Sequence, residues 1–343
     1  MMELGGFIVD LKQLVEACKK HKSKHVAVQI PAALLHHSAE LAAEIEKKCK
    51  VKVFMGARPT YGACDLMDTN ALKTMDIDLL VNFGHAELPS IKNYYEREYD
   101  IPLIFIELPS NQSELKLDPK DARKLGGSVA LVTTVQYAHL LPQLEAFLEE
   151  QGLKTYISTG DGRIKHPGQV LGCNYSTMMN IPREDVDTYL YMGTGRFHPL
   201  GIALSVDKPL YALDPHLGII FNFEMRKERY LRKRYAMITK AQEGKKFAVV
   251  ISTKPGQRRV GLGLEIMKKL KKKKKQGILY IVDEVDPQDF DYTDVDIIVS
   301  TACPRIALDD SDRYKKPIIT PVELEIALND RKWEDYYPDM ILD

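Results

Sequence analysis

Lys246-Phe247-Ala248-Val249-Val250-Ile251-Ser252 is an apolar run, rich in β-branched residues, with no polar side chain inside it. A strand that shows one face to water alternates polar and apolar residues. A strand that is apolar throughout is covered on both faces, as in a parallel sheet packed between helices. Three further runs follow it at short intervals: Ile278–Val285, Ile297–Thr301 and Pro317–Val322. The same group of four occurs twice upstream. The first set is His25–Pro31, Val51–Met55, Leu79–Gly84 and Pro102–Glu107; the second is Val129–Val135, Lys154–Gly160, Thr188–Gly193 and Pro209–Pro215. The last run of every group opens on proline, which a strand tolerates at its start or at a sheet edge.

Three such groups in 343 residues give a unit of about 110 residues, an ordinary domain size and too long a period for a solenoid. The pattern therefore predicts an α/β protein of three homologous small domains, residues 1–108, 109–215 and 216–343. Each is expected to be a four-stranded parallel sheet flanked by helices, the three being arranged around a pseudo-threefold axis. Lysine plus arginine and aspartate plus glutamate both number 48, so the formal net charge is +0 and no global field for nucleic acid exists. The N-terminus lacks a basic segment followed by an apolar run, and no long apolar span occurs, so a cytoplasmic protein without a membrane association is expected.

The five cysteines sort by local pattern. Cys18 continues Leu11, Leu14 and Val15 at helical spacing, and Cys49 continues Leu41 and Ile45, so both read as core-facing. The other three break every period and stand in loops marked by glycine or proline, one per unit: Tyr61-Gly62-Ala63-Cys64-Asp65, Leu171-Gly172-Cys173-Asn174-Tyr175 and Thr301-Ala302-Cys303-Pro304-Arg305. Their separations, 173 − 64 = 109 and 303 − 173 = 130, approach the repeat length. Cys64 and Cys173 follow the second strand of their units but Cys303 follows the third, so the correspondence is approximate. All three lie at the strand ends where parallel sheets bind ligands. By spacing alone they fit either ordinary buried thiols or a three-thiolate metal or cluster site with one position open. No Cys-x-x-Cys is present, which removes the main support for zinc-ribbon, thioredoxin-like and ferredoxin-like readings.

The segment Ser300-Thr301-Ala302-Cys303-Pro304-Arg305-Ile306-Ala307-Leu308-Asp309-Asp310 closely resembles the signature of the archaeal 2-(3-amino-3-carboxypropyl)histidine synthase family, which begins diphthamide biosynthesis. Tyr61–Asp65, Gly172-Cys173, Gly193–Gly201 and Thr253–Gln257 share the resemblance, which covers nearly the whole chain. It implies a [4Fe–4S] cluster on Cys64, Cys173 and Cys303, S-adenosylmethionine as substrate, and a working homodimer. The family moves the 3-amino-3-carboxypropyl group to carbon 2 of a histidine imidazole in translation elongation factor 2, through a radical, with an external electron donor. Radical chemistry suits that carbon, because the ring nitrogens would capture an ordinary electrophile, and the hard chemistry is the cofactor's.

A zwitterionic methionine moiety needs a donor for its carboxylate. Arg305 offers a planar fork for it, or else pairs with Asp309 or Asp310. Gly193-Thr194-Gly195 reads as a turn with backbone donors, Gly195 being its candidate contact. His198 is a candidate for the adenosine or the incoming imidazole, or a structural histidine. Gln257 is the preferred polar contact after the first strand of the third unit, and Gln136 and Tyr137 hold the matching place in the second. His85 and His139 also lie at strand ends, without a feature that lifts them above structural roles. The basic stretch Lys268–Lys275 reads as the solvated end of an amphipathic helix or a guide for an acidic partner. Arg226–Arg234 reads as the exposed side of a connecting helix; neither stretch carries an aromatic RNA-binding motif. Alternative readings are a quinolinate synthase-like cluster enzyme, which the Cys303-Pro304-Arg305 context disfavours, a non-catalytic cluster-bearing redox subunit, and a zinc site.

Overall fold

The computed structural model describes residues 1–342, the Thr69 side chain excepted. A short antiparallel hairpin, β1 (Met2–Leu4) and β2 (Phe7–Val9), opens the chain. Three sheets follow. The first contains β3 (His25–Gln29), β4 (Lys52–Met55), β5 (Leu79–Phe83) and β6 (Leu103–Ile106) in the order β4-β3-β5-β6. The second contains β7 (Ser128–Thr133), β8 (Lys154–Tyr156), β9 (Thr188–Met192), β10 (Leu210–Asp214) and β11 (Ile219–Asn222), ordered β8-β7-β9-β10-β11. The third contains β12 (Lys246–Ser252), β13 (Gln276–Val282), β14 (Ile297–Ser300) and β15 (Ile318–Ile319), ordered β13-β12-β14-β15. All pairings in the three sheets are parallel except β10 with β11. The strand plan is thus second-first-third-fourth in every unit.

The opening strand of each unit shows why its sequence is continuously apolar. Phe247 and Val249 of β12 join one core cluster, while Ala248 and Val250 join another on the opposite face. Val129 and Leu131 of β7 divide in the same way from Ala130 and Val132, and Val26 and Val28 of β3 from Ala27. Alternate side chains point to opposite faces of a strand, so two cores require two apolar faces. The three prolines sit one residue before the fourth strands, where no ladder donor is lost. Their carbonyls accept from Leu80, Tyr189 and Ile298 at 2.9 Å each.

Several expectations are corrected. The middle sheet has five strands, because the chain reverses after β10 through Pro215–Gly218 and returns antiparallel as β11, beyond the point where the sequence reading ends the second unit. The run Pro317–Val322 is a strand only over Ile318–Ile319. Thr320 then caps the helix Pro321–Ala327, its hydroxyl accepting from the Glu323 amide while Glu323 accepts from the Thr320 amide. The helix Glu224–Glu243 does carry basic residues outward, but Arg234 is fully buried. Its Nε and Nη2 donate to the two oxygens of Glu323 at 2.7 and 2.6 Å, and its other bonds go to the carbonyls of Ala307 and Ile318. Of the Lys268–Lys275 stretch, Lys269, Lys273 and Lys275 are turned onto Glu325, Asp330 and the carbonyls of Gln242 and Gly244, Leu270 is buried in the core, and the other lysines are exposed. Cys18 and Cys49 lie against the first unit's core, as their helical spacing implies.

Removing one half of a buried, hydrogen-bonded ion pair leaves the other uncompensated. Glu323→Ala is therefore expected to destabilise the protein by about 3–5 kcal/mol. A double replacement, Arg234→Met with Glu323→Leu, should recover much of that loss; denaturant melts of the two variants check it, and equal losses would contradict the paired role.

Candidate functional site: a three-thiol pocket

Each cysteine loop leaves the carboxyl end of a parallel strand: Cys64 after β4, Cys173 after β8 and Cys303 after β14. The first loop is fastened by Gln29, whose amide donates to the Asp65 carbonyl at 3.0 Å and accepts from the Met67 amide at 3.1 Å. The Thr60 hydroxyl also donates to the Asp65 carbonyl, and the Tyr61 amide donates to the Asp65 carboxylate. Gly172 and Cys173 form the tip of a tight turn closed by reciprocal bonds between Leu171 and Asn174. Gly172 is required there: a Cβ would stand 2.1 Å from the Phe197 ring. Cys303 precedes the short helix Pro304–Leu308.

One side chain joins two of the loops. Gln257 donates from Nε2 to the Cys64 sulfur at 3.5 Å and accepts at Oε1 from the Cys303 amide at 3.2 Å. Its neighbour Gly256 presses on Cys64 so closely that a Cβ would lie 2.4 Å from the cysteine's own Cβ. The third loop brings Cys173 within electrostatic reach of Cys64. Burial raises all three thiols above their ordinary value, and burial together with the like charge of Cys64 takes Cys173 to about 12. Cys303 feels both Cys173 and Cys64 in the same sense. The thiols are thus close enough to interact, and without a metal they are protonated at neutral pH.

Ion pairs hold the surrounding walls. Lys254 is buried against Asp65, with Glu284 beside it; burial opposes its charge, yet the carboxylates keep its pKa above the ordinary value. Arg58 pairs with Glu284 on the same seam between the first and third units. Arg259 donates to the carbonyls of Thr301 and Ala302, just before Cys303, and forks onto Asp339. The chain beyond Asp339 reaches the second unit, where the Ile341 amide donates to the Cys173 carbonyl at 2.8 Å and its carbonyl accepts from Asn174.

A collar drawn from all three units borders the thiols. Arg305 lies over the rings of Tyr61, at 4.8 Å, and Phe197, at 5.4 Å, while its Nε donates to Asp309 at 3.2 Å. Both uses foreseen for this arginine therefore stay compatible with its position, since the pairing with Asp309 occupies one edge only. His198 stacks on Tyr191 and meets Phe197 edge-on. Burial lowers its pKa to about 4, and the nearby charge of Arg305 adds to the effect. His85, bonded to Asn82 at 2.9 Å, is lowered to about 4 by burial as well. Other candidates are committed elsewhere. Gln136 donates to the Gly84 carbonyl, Tyr137 bonds His216, and His139 meets the Gln112 carbonyl. Gly195, at φ +82, is an exposed turn residue with open space around it.

Sequence reasoning missed Arg259, the Lys254–Asp65 pair and Tyr61. Only tertiary placement distinguishes these from surface charges and a surface ring. The donor set fits an iron–sulfur cluster, since three sulfurs are the soft ligands that such clusters take. Among the described residues no group of three His, Cys, Asp or Glu side chains closes around a single metal.

Three sheets of one strand plan, each sending a cysteine to a shared site, define a three-thiol α/β protein. Residues 30–338 match the family model described as "Putative diphthamide synthesis protein", and the chain belongs to that diphthamide synthesis family. It is 35% identical to the 2-(3-amino-3-carboxypropyl)histidine synthase of Pyrococcus horikoshii, over 96% of this chain and 92% of that one. The enzyme of the same name from Methanocaldococcus jannaschii is 32% identical, over 82% of this chain and 76% of that one. The crystal structure of Dph2 from Pyrococcus horikoshii with a 4Fe-4S cluster superposes with a TM-score of 0.84 at 33% identity, covering 98% of this chain and 94% of that one. No helix among the described residues is long and apolar enough to cross a membrane.

The two depressed histidines make stability depend on pH with a definite sign. The unfolded chain takes up protons at these imidazoles near pH 6.5, whereas the folded protein resists until about 4. Stability should therefore fall as pH drops from 6.5 to 4. Thermal melts of metal-free protein across that window are expected to show the fall, and His198→Gln should flatten part of it. Superimposable profiles for the two proteins would contradict the neutral, desolvated imidazole.

Proposed function

We propose that the chain transfers the 3-amino-3-carboxypropyl group of S-adenosylmethionine to imidazole carbon 2 of a histidine in translation elongation factor 2, the first step of diphthamide biosynthesis. The observation that carries the reading is the convergence of Cys64, Cys173 and Cys303 from three separate sheets, bridged in part by Gln257. These three thiolates would hold a [4Fe–4S] cluster and leave one iron without a protein ligand. When bound, the cluster supplies the electron that cleaves a carbon–sulfur bond of S-adenosylmethionine and yields the alkyl radical.

The chain's own residues bind and orient. Arg305, already over Tyr61 and Phe197 at the mouth of the pocket, keeps nitrogen donors beyond the one bonded to Asp309 for the substrate carboxylate. His198 is kept neutral, so it accepts or donates one hydrogen bond without adding a second positive charge beside the sulfonium. Gln257 ties the Cys64 and Cys303 loops to each other and would hold two of the three thiolates in place. The Tyr61 and Phe197 rings hold the Arg305 guanidinium in place at the mouth. A homodimer and an external reductant complete the working form.

Cys64→Ala, Cys173→Ala and Cys303→Ala are each expected to lower iron content and the visible absorbance of anaerobically reconstituted protein, while Cys18→Ala and Cys49→Ala leave both unchanged. Equal losses across all five variants would show that the thiols do not divide in this way. The activity itself is tested by incubating reduced, iron-loaded protein with elongation factor 2 and S-adenosylmethionine. Mass spectrometry should find one added 3-amino-3-carboxypropyl group. No mass gain despite verified reduction and binding of S-adenosylmethionine would overturn the transferase reading, and absence of that binding would favour the redox-subunit reading.

A further inference from the structure

The loop that runs from β8 to Cys173 carries a cation the reading above does not use. Arg163 is only 6% exposed. Its backbone is held by Asp161, one oxygen of which accepts from the Arg163 amide at 3.0 Å while the other accepts from Asn174 at 2.8 Å. The Asp161 amide donates in turn to Ser176 at 2.9 Å. Arg163 is thereby tied to the residues on the far side of Cys173. Its side chain nevertheless leaves Nε and Nη2, both buried, without a hydrogen-bond partner. Leaving buried donors without partners is costly, most of all on a charged group, so such an arrangement in a native site points to an absent acceptor.

A second arginine at the same thiol supplies the contrast. The charges of Arg163 and Arg259 both bear on Cys173, and that of Arg163 also bears on Cys64. Arg259 uses all its nitrogens on Thr301, Ala302 and Asp339. It is a fastener. Arg163 hydrogen-bonds the Cys173 thiol and still keeps Nε and Nη2 without a partner, and it lies deeper than Arg305, whose ring partners line the more exposed mouth beside Tyr61.

We propose that Arg163 supplies its unpartnered N–H donors to the sulfur atoms of the iron–sulfur cluster held by Cys64, Cys173 and Cys303, and thereby raises the potential at which that cluster accepts an electron. The inference rests on the cluster reading above. Reduction adds negative charge to a core already bound by three thiolates, and a buried cation stabilises the more negative state. Hydrogen bonds to the sulfurs and local charge are among the levers that set cluster potentials. Arg163 is a positioning and tuning residue in this role.

The test is spectroelectrochemical titration of reconstituted protein, with iron content measured on each sample. Arg163→Met and Arg163→Gln remove the charge, and Arg163→Lys keeps it. Either neutral variant that loads iron should have its midpoint moved negative by at least 59 mV, which is a tenfold lower ratio of reduced to oxidised cluster at fixed potential. Arg163→Lys should stay nearer the parent than that. Failure of both neutral variants to load iron while Arg163→Lys loads normally also supports the assignment, since the charge is then needed to hold the cluster. An unmoved midpoint in a loaded neutral variant overturns it, and does so for the substrate carboxylate if binding of S-adenosylmethionine is lost instead. Failure of all three variants to load iron makes the role architectural and overturns it as well. If the parent protein itself forms no cluster, the cluster reading fails and not merely this extension of it.

Discussion

Bringing three thiols from three separate sheets into one desolvated space is the constraint that the rest of this structure answers. Each thiol resists ionisation through burial, and the like charge of its neighbours adds to that resistance at Cys173 and Cys303. Nothing in a single sheet could hold them together. The contacts that do so are polar and run between units: Gln257 from the third unit to Cys64 of the first, Lys254 to Asp65, Arg259 through Asp339 to the strand of chain that bonds Cys173. Buried pairs of this kind are weak sources of net stability. Their value here is geometric, since each one fixes the approach of two loops that share no backbone ladder.

The scaffold and the site obey the repeat to different degrees. All three sheets follow one strand plan, and the proline carbonyl before each fourth strand makes the same 2.9 Å bond. The cysteines do not follow it, because Cys303 leaves the third strand of its unit while the others leave the second. The polar surroundings differ still more. Gln257 bonds two cysteine loops, whereas Gln136, at the matching place in the second unit, ties the second unit to Gly84 of the first. A pocket built this way has three different walls, which a substrate with chemically distinct ends requires.

The parallel sheets were legible because Lys246–Ser252 and its counterparts must fill two cores at once, and that demand is written in every residue of the run. The cysteine sorting was legible for a similar reason: Cys18 and Cys49 keep a helical period and the other three break it. What sequence could not reveal are residues whose role comes from contacts far along the chain. Arg234 lies among basic residues of a helix that is otherwise turned to water, and only Glu323, distant in sequence, makes its burial tolerable. Arg163 and Arg259 are equally anonymous as isolated arginines. One miss was avoidable, since Thr320-Pro321-Val322-Glu323 carries the capping-box pattern of a helix start. The fifth strand of the middle sheet is four residues with one buried, too short and too wet to stand out.

The bond from Ile341 to Cys173 has a consequence for how the protein is made. The three thiols are spread from Cys64 to Cys303, and the segment that fastens the second of them comes later still. During synthesis the first sheet can close long before the third exists, since units of this size fold as they emerge. A nascent chain that has not yet released its third sheet can present a metal with two of these sulfurs at most. A site that needs all three sulfurs is therefore complete only after the third sheet has emerged and folded.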